Sequence, residues 1–470
     1  MVNRSPVSLW GTTIEQLVAA IRGEIESGAR SGGSRLPSIR ACAREQGASR
    51  YAVVEAYERL VASGFVVSRP GAGFYVGIRP PRGAGPDDGA GQQMAASGAA
   101  SLIRDVLESD ERLLKLGGPW LPDDWLDVSV MQSIARSLGR GSASHLFKYG
   151  LPKGYLPLRD QLLTGLREIG IDAGPEQVVL TNGSSHAFDL LIRKFLRPGD
   201  TVLVEDPGYY NLFGYLRFCG ITLVGVPRRA DGPDVAALRS LAARHRPKLV
   251  FLQSTLHNPT GTNIPPQGLY RILQAAAEFD FRIVEDDTYG DLAPSANPRL
   301  ATLDQLDRVI YVRSFSKTLS GSMRAGMIAA ARELAEELTD VKVLSCISTS
   351  EFVEKFIYRM LIEGHYRKFI DRLNARLSEA RARAQRLLAG AGMEIFATPA
   401  GGNFLWARFP DVEDSATLVP AARKLGIILG AGKAFRPNLE PSPWMRINVT
   451  MCDDPRVAQF LAAHRKRALS

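Results

Sequence analysis

Residues 314–326 read Ser314-Phe-Ser-Lys317-Thr-Leu-Ser-Gly-Ser-Met-Arg324-Ala-Gly326, just after the apolar run Val309-Ile-Tyr-Val312. That run has the composition of a buried strand, and in open α/β sheets ligands gather at the carboxyl ends of parallel strands. A lysine taken alone is an ordinary solvated surface residue. Lys317 differs through its setting, with the hydroxyl of Ser314 three residues before it and the guanidinium of Arg324 seven after. A hydroxyl and a guanidinium so placed suit a phosphate dianion, Arg because its planar fork bonds two oxygens at once.

Outward from this stretch, Val178-Val-Leu180, Thr201-Val-Leu-Val204, Leu249-Val-Phe-Leu252 and Arg282-Ile-Val-Glu285 are further β-rich runs separated by helical lengths. They predict a mostly parallel α/β sheet covered on both faces. Their ends are polar. Asp286 closes one of them, in Glu285-Asp286-Asp-Thr-Tyr289, where it is either a solvated loop acid or a partner for a ring nitrogen, with Tyr289 able to donate to a phenolic oxygen. Asn258, in His257-Asn258-Pro-Thr-Gly261, is a turn former or a second donor to that oxygen. Gly183-Ser184-Ser185-His186 follows a strand and opens a helix, so it is a plain cap or an anion site aided by the helix dipole. Tyr209 can stack on a flat ring or fill a core. Taken together these residues supply a Schiff-base lysine, an acid for a pyridine nitrogen, donors for a phenolate and an anchor for a phosphate, which is what pyridoxal 5′-phosphate requires of a protein.

Residues 351–388 read as mostly one long helix, and 393–470 as shorter elements of a smaller lobe. At 470 residues the chain exceeds a single core, so at least two domains are expected. No apolar run is long enough for a membrane span, and Met1-Val-Asn-Arg-Ser-Pro6 lacks the apolar core of a signal peptide, so a cytoplasmic protein is expected. Cys42, Cys219, Cys346 and Cys452 show no metal-ligand spacing and no disulfide pattern.

The net charge is +9, and residues 1–82 hold eleven Arg, no Lys, six Glu and no Asp, an excess of +5. That is the direction a phosphate-facing module needs. Here Ile14, Leu17, Val18, Ile21 and Ile25 form a helical stripe, Ser38 can cap a second helix to about Glu45, and Ser49 a third from Arg50 to about Ser63. Phe65–Val76 reads as a hairpin around Pro70-Gly71. Three helices and a hairpin describe a winged helix-turn-helix, an α+β unit. Gly77 to about Ala100 reads as a flexible tether, and Ala100–Leu116 as a helical piece leading into the next domain.

Arg35-Leu-Pro-Ser-Ile-Arg40, Ser49-Arg-Tyr-Ala-Val-Val-Glu-Ala-Tyr-Glu-Arg-Leu60 and Ser68-Arg-Pro-Gly-Ala-Gly73 closely resemble the DNA-binding domain of the GntR regulators. The resemblance implies a third helix in the major groove and a wing on the backbone of double-stranded DNA. Arg50 and Tyr51 then lie near base edges and Arg35, Arg40 and Arg69 nearer phosphates, with Ser38, Ser49, Gly71 and Gly73 in the same contact set. Residues from about 145 to 455 resemble a fold-type I aminotransferase, with Tyr149-Gly-Leu-Pro-Lys-Gly154 through Leu158-Arg159 as a further motif. By that resemblance Lys317 carries the cofactor as a Schiff base, Asp286 pairs with the pyridine nitrogen, and Asn258 and Tyr289 contact the phenolic oxygen. Ser184, Ser185, Ser314 and Arg324 bind the phosphate, Tyr149 reaches it from a second subunit, and Arg446, assisted by Asn403, clamps a substrate carboxylate.

The whole arrangement resembles the MocR subfamily of GntR regulators. It implies a winged helix-turn-helix over 1–78, a linker over 79–115 and an aminotransferase-like domain over 116–470, with a large lobe at about 150–345 and a small one at about 350–470. The expected function is a homodimeric regulator of transcription that senses pyridoxal phosphate or an amino compound that displaces Lys317 from it. The alternative is an active aminotransferase with an accessory DNA-binding domain, since this chain keeps Asn258 and Asp286-x-x-Tyr289 in the form typical of working enzymes.

Overall fold

A computed structural model describes residues 13–26, 29–62, 65–69, 72–76, 112–140, 147–293 and 297–468, and the chain divides into two compact units, Met1–Asp88 and Gly89–Ser470. In the first, helices α1 (Ile14–Glu26), α2 (Ile39–Glu45) and α3 (Arg50–Ala62) precede the antiparallel strands β1 (Val66–Arg69) and β2 (Gly73–Val76). Leu17 and Ile21 of the apolar stripe are buried with Leu36, Val53, Tyr57, Leu60, Val66 and Val76, so the helices and the hairpin share one core. Both serines act as helix caps: Ser38 Oγ accepts the Ala41 N–H at 3.2 Å, and Ser49 Oγ the Ala52 N–H at 3.1 Å. Tyr57 donates its hydroxyl to the Pro37 carbonyl at 2.9 Å, which ties α3 to the start of α2. Arg35 forms a single antiparallel bridge to Tyr75, which ties the segment before α2 to the hairpin.

The second unit is built on an eight-stranded sheet of order β3-β10-β9-β8-β7-β4-β5-β6. Its strands are β3 (Val178–Thr181), β4 (Thr201–Asp206), β5 (Thr222–Arg229), β6 (Gly232–Pro233), β7 (Leu249–Leu252), β8 (Arg282–Asp286), β9 (Val309–Ser314) and β10 (Gly326–Ala329). β9, β8, β7, β4 and β5 run parallel, as the apolar runs predict. β10 inserts antiparallel between β3 and β9. The two-residue side-chain period sends Val250, Ile283 and Val309 into one core and Leu249, Phe251, Val284, Ile310 and Val312 into the other, so helices cover both faces.

Two expectations are corrected. The long helix breaks into Glu351–Ile362 and His365–Gly390, because Gly364 takes φ 70°, a left-handed conformation that ends one helix and starts the next. Of the helix expected over 100–116, residues 100–111 lie outside the described residues, and 112–116 are turn and extended chain. Leu114 bridges to Ile427, and Leu114 and Leu116 are buried in the small-lobe core, where an extended segment adds to a sheet edge better than a helix would. That lobe holds the antiparallel sheet β11-β12-β14-β13, of β11 (Glu394–Ile395), β12 (Phe404–Arg408), β13 (Gly430–Ala431) and β14 (Trp444–Asn448). Helix His365–Gly390 packs Phe369, Leu373 and Leu377 against this sheet. Among the described residues no helix is long and apolar enough to cross a membrane.

The cap on α3 gives a local test. Ser49→Ala removes the acceptor of the Ala52 N–H and is expected to cost α3 about 1 kcal/mol, read as roughly fivefold faster amide exchange in its first turns.

Candidate functional site

The carboxyl ends of β7, β8 and β9 and the turn after β3 supply the groups singled out above. Asp286, the last residue of β8, is buried, and both its oxygens accept hydrogen bonds. Oδ1 accepts the Thr288 N–H at 3.1 Å and the Thr288 hydroxyl, and Oδ2 accepts Gln253 Nε2–H at 2.9 Å. Burial pushes its pKa up to about 6, against the downward pull of those bonds. Neither Thr288 nor Gln253 is marked out by the sequence reading, although a threonine two residues beyond an aspartate is a known local bonding pattern.

Lys317 stands beyond the end of β9, and its pKa is brought down to about 8, first by burial and then by the charges of Arg446 and Arg324, with Asp286 opposing them. A lysine so tuned is a competent nucleophile near neutral pH. Tyr289 is buried edge-on against Phe404, with ring centroids 5.5 Å apart. Tyr209, Phe188 and Asp286 line a small cavity with Gln253 and His257, which sets the Tyr209 ring beside the acid.

The phosphate candidates converge at the N-terminus of helix Gly183–Phe195. Ser184 and Ser185 lie in its first turn, partly exposed. Arg324, itself exposed, donates Nη2–H to the Asn182 carbonyl at 3.0 Å and Nη1–H to Ser316 Oγ at 3.2 Å. Ser314 is buried, engaged with Ser316 Oγ at 3.1 Å and the Ala325 carbonyl at 3.3 Å, so Ser316, which sequence reasoning passed over, joins it to Arg324. Gly183 has φ +76°, and a Cβ there would lie 2.9 Å from Arg324 Nη2, so only glycine brings the helix start this close to the guanidinium. Ser185 and Arg324 also line a cavity of about 480 Å³ with His186 and Asn211.

From the small lobe, β14 carries Arg446, which is 2% exposed. Its Nη1–H donates to Asn258 Oδ1 at 2.7 Å, while Nε–H and Nη2–H both donate to the Gly117 carbonyl, at 3.0 and 2.6 Å. The rings of Phe404 and Phe435 flank it, with centroids 4.3 and 4.8 Å away. No carboxylate of the described residues pairs with it. Asn403, the residue before β12, is buried, and its Oδ1 has no hydrogen-bond partner. Behind the site, Arg228 and Glu205 form a buried ion pair, and burial holds His257 well below its ordinary pKa and therefore neutral.

The donor set fits pyridoxal phosphate: a buried, hydrogen-bonded acid, a lysine of lowered pKa, an aromatic ring beside the acid, and a glycine-permitted cup of hydroxyls, helix N–H groups and a guanidinium. The family described as aminotransferase class I and II matches residues 115–463. The chain belongs to that family. Its N-terminal residues 13–76 match the family described as bacterial regulatory proteins, gntR family. The HTH-type transcriptional regulator YdcR of Escherichia coli (strain K12) is 28% identical over 447 residues, 92% of this chain and 94% of its own. The probable rhizopine catabolism regulatory protein MocR of Rhizobium meliloti is 28% identical over 371 residues, 77% of this chain and 74% of its own. Among solved structures, LysN, the α-aminoadipate aminotransferase of Thermus thermophilus in complex with N-(5′-phosphopyridoxyl)-L-leucine, has a TM-score of 0.72 at 26% identity, covering 80% of this chain and 98% of that one. The chain is thus a GntR-type regulator fused to a fold-type I aminotransferase domain, the architecture of MocR, and its cofactor is pyridoxal 5′-phosphate.

In the helix-turn-helix unit, Arg35, Arg40, Arg50, Tyr51 and Arg69 are all exposed, Tyr51 by 73%. Arg69 lies over the Tyr75 ring at 4.5 Å, and Gly73, at φ +104°, leaves room for the Arg35 guanidinium against the hairpin. Gly71 lies outside the described residues.

Two measurements check this geometry. Gly183→Ala should weaken cofactor retention about tenfold, the equivalent of the ~1–2 kcal/mol that a left-handed alanine costs, read by titrating the apoprotein with pyridoxal phosphate. The neutral lysine is the reactive form, so incorporation of the cofactor should quicken as pH rises to about 8 and level off above it. An unshifted lysine would keep gaining rate beyond about pH 10.

Proposed function

We propose that the protein is a regulator of transcription whose DNA affinity responds to pyridoxal phosphate and to an amino compound bearing a carboxylate. The observation that carries this reading is Arg446, a buried guanidinium with no acidic partner among the described residues, placed close enough to Lys317 to lower its pKa. A buried charge without a counter-charge is costly, and a ligand carboxylate would supply the missing one. Bound pyridoxal phosphate supplies a carbonyl that condenses with amines and a ring that draws electrons from them. Asp286 would keep the ring nitrogen protonated, Asn258 and Tyr289 would serve the phenolic oxygen, and Ser184, Ser185, Ser314 and Arg324 would hold the phosphate. Lys317 contributes the resident amine and, once freed, a base.

A carboxylate that takes the Nε–Nη2 edge of Arg446 displaces the Gly117 carbonyl that now occupies it. In this reading Gly117 follows the linker expected over 79–115, so ligand binding would be felt at the end of that tether. The protein acts as a homodimer in this reading: Tyr149, 80% exposed, reaches the phosphate of a second copy, beside Phe147, 84% exposed. Two heads then read paired half-sites, with Arg50 and Tyr51 towards bases and Arg35, Arg40 and Arg69 towards phosphates. A second reading, an aminotransferase with an accessory DNA-binding domain, is favoured by the completeness of the Lys317, Asp286, Asn258 and Tyr289 set.

The test measures fluorescence anisotropy of DNA from upstream of the protein's own gene, with and without cofactor and a panel of amino acids. The regulator reading expects cofactor-dependent affinity, an amino-acid response that Arg446→Gln abolishes, and loss of the cofactor's visible band in Lys317→Ala. Fast, substrate-specific transamination by a protein that ignores this DNA would move the assignment to the enzyme.

A further inference from the structure

Gln253, the residue after β7, is buried beside Asp286. Its carboxamide bridges two groups assigned to the cofactor: Nε2–H donates to Asp286 Oδ2 at 2.9 Å, and Oε1 accepts the Asn258 main-chain N–H at 2.8 Å. The partners fix the orientation of this amide, because a carboxylate only accepts and a peptide N–H only donates. The reversed amide would set oxygen against oxygen and N–H against N–H. The backbone of Gln253 is held as well: its N–H donates to Glu205 Oε2 at 2.8 Å, and its carbonyl accepts from Arg228 Nη1 at 3.0 Å. Asn258 passes the connection on to Arg446 through its own side chain.

We propose that Gln253 is a positioning residue for the cofactor, holding the Asp286 carboxylate in place and locking the Asn258 loop in register with it. The proposal rests on the assignment of this site to pyridoxal phosphate. Asp286 accepts three hydrogen bonds from protein groups, two from Thr288 and one from Gln253, and Gln253 alone binds Oδ2 among the described residues. Without that donor the acid takes up a proton more readily, and the ring nitrogen loses its counter-charge sooner as pH falls. Other charged groups surround the pair. Glu205 and Arg228 lie behind Gln253 as a buried ion pair, with neutral His257 beside them. Asp287 is bound by Arg299 and Tyr311 and pushes the Asp286 pKa up, while Lys317, itself under the charge of Arg446, interacts with Asp286 electrostatically. None of these groups supplies a substitute donor to Oδ2.

The test is cofactor titration of the full chain by visible absorbance, from about pH 5 to about pH 9, in the wild type, Gln253→Leu and the isosteric Gln253→Glu. Gln253→Leu should bind on the order of tenfold to a hundredfold more weakly, the effect of losing a hydrogen bond to a charged group. Its loss should deepen towards acid pH at a higher pH than in the wild type. Gln253→Glu donates to Asp286 only while the two acids share a proton, so it should bind nearly as the wild type at low pH and fail as pH rises. That opposite slope is one a merely structural role would not produce. Wild-type affinity and pH profile in both variants, or an equal loss at every pH together with a lower Tm, would overturn the proposal. Should Gln253→Leu fail to fold, the slope of Gln253→Glu decides by itself. DNA binding is not read, so this failure is separate from that of the regulator assignment, and a wild type that binds no cofactor overturns the site assignment beneath both.

Discussion

Keeping the Asp286 carboxylate ionised inside an apolar sheet is the constraint on which the rest of the site depends. A buried acid drifts towards its neutral form, and a neutral acid could not balance a protonated ring nitrogen. The chain answers with three donors rather than with a buried cation: Thr288 through its N–H and hydroxyl, and Gln253 through its amide. A cation placed against Asp286 would hold it charged more strongly but would compete with the ring nitrogen for the same oxygen. Neutral donors leave the negative charge free to be used.

The same economy governs Lys317. Burial and the neighbouring charges of Arg446 and Arg324 lower its pKa, while Asp286 restrains the shift. In the proposed reading each of these groups would also have a separate task, Arg324 at the phosphate and Arg446 at a ligand carboxylate. The lysine is therefore tuned by groups that the ligand itself requires, and no residue is devoted to the tuning alone. A carboxylate bound at Arg446 would cancel part of that positive charge and raise the basicity of the lysine amine, so ligand binding and proton affinity at Lys317 are linked.

Much of this was legible in the chain because motifs and strands are local. Lys317, Asp286 and Asn258 are announced by short runs at strand ends, and the helices of the winged unit by an apolar stripe with serine caps. What was not legible arises from contacts between distant residues. Gly117 and Arg446 are 329 positions apart, and nothing near Gly117 suggests that its carbonyl occupies a guanidinium. Gln253 reads as the last polar residue of a strand until the fold brings β8 alongside. β10 is only four residues long and follows the cofactor loop at once, which leaves no helical length to mark it as a separate strand. The break at Gly364 interrupts no apolar period, and a glycine within a helical pattern looks tolerable until its φ is known.

The contacts form one path across the lobes: Thr288 to Asp286, Asp286 to Gln253, Gln253 to Asn258, Asn258 to Arg446 and Arg446 to Gly117. Each link is a hydrogen bond between buried groups, so none can be broken without leaving a donor or acceptor unsatisfied unless a ligand replaces it. The Gly117 link is the one a carboxylate can replace with gain, because a carboxylate offers the guanidinium two acceptor oxygens and a counter-charge where the carbonyl offers one neutral oxygen. The path therefore ends at its exchangeable bond, on a residue that follows directly on Leu114 and Leu116 of the small-lobe core. In the proposed regulator a bound carboxylate would release the Gly117 carbonyl, and that freed main-chain group would be the first part of the small lobe to register the ligand.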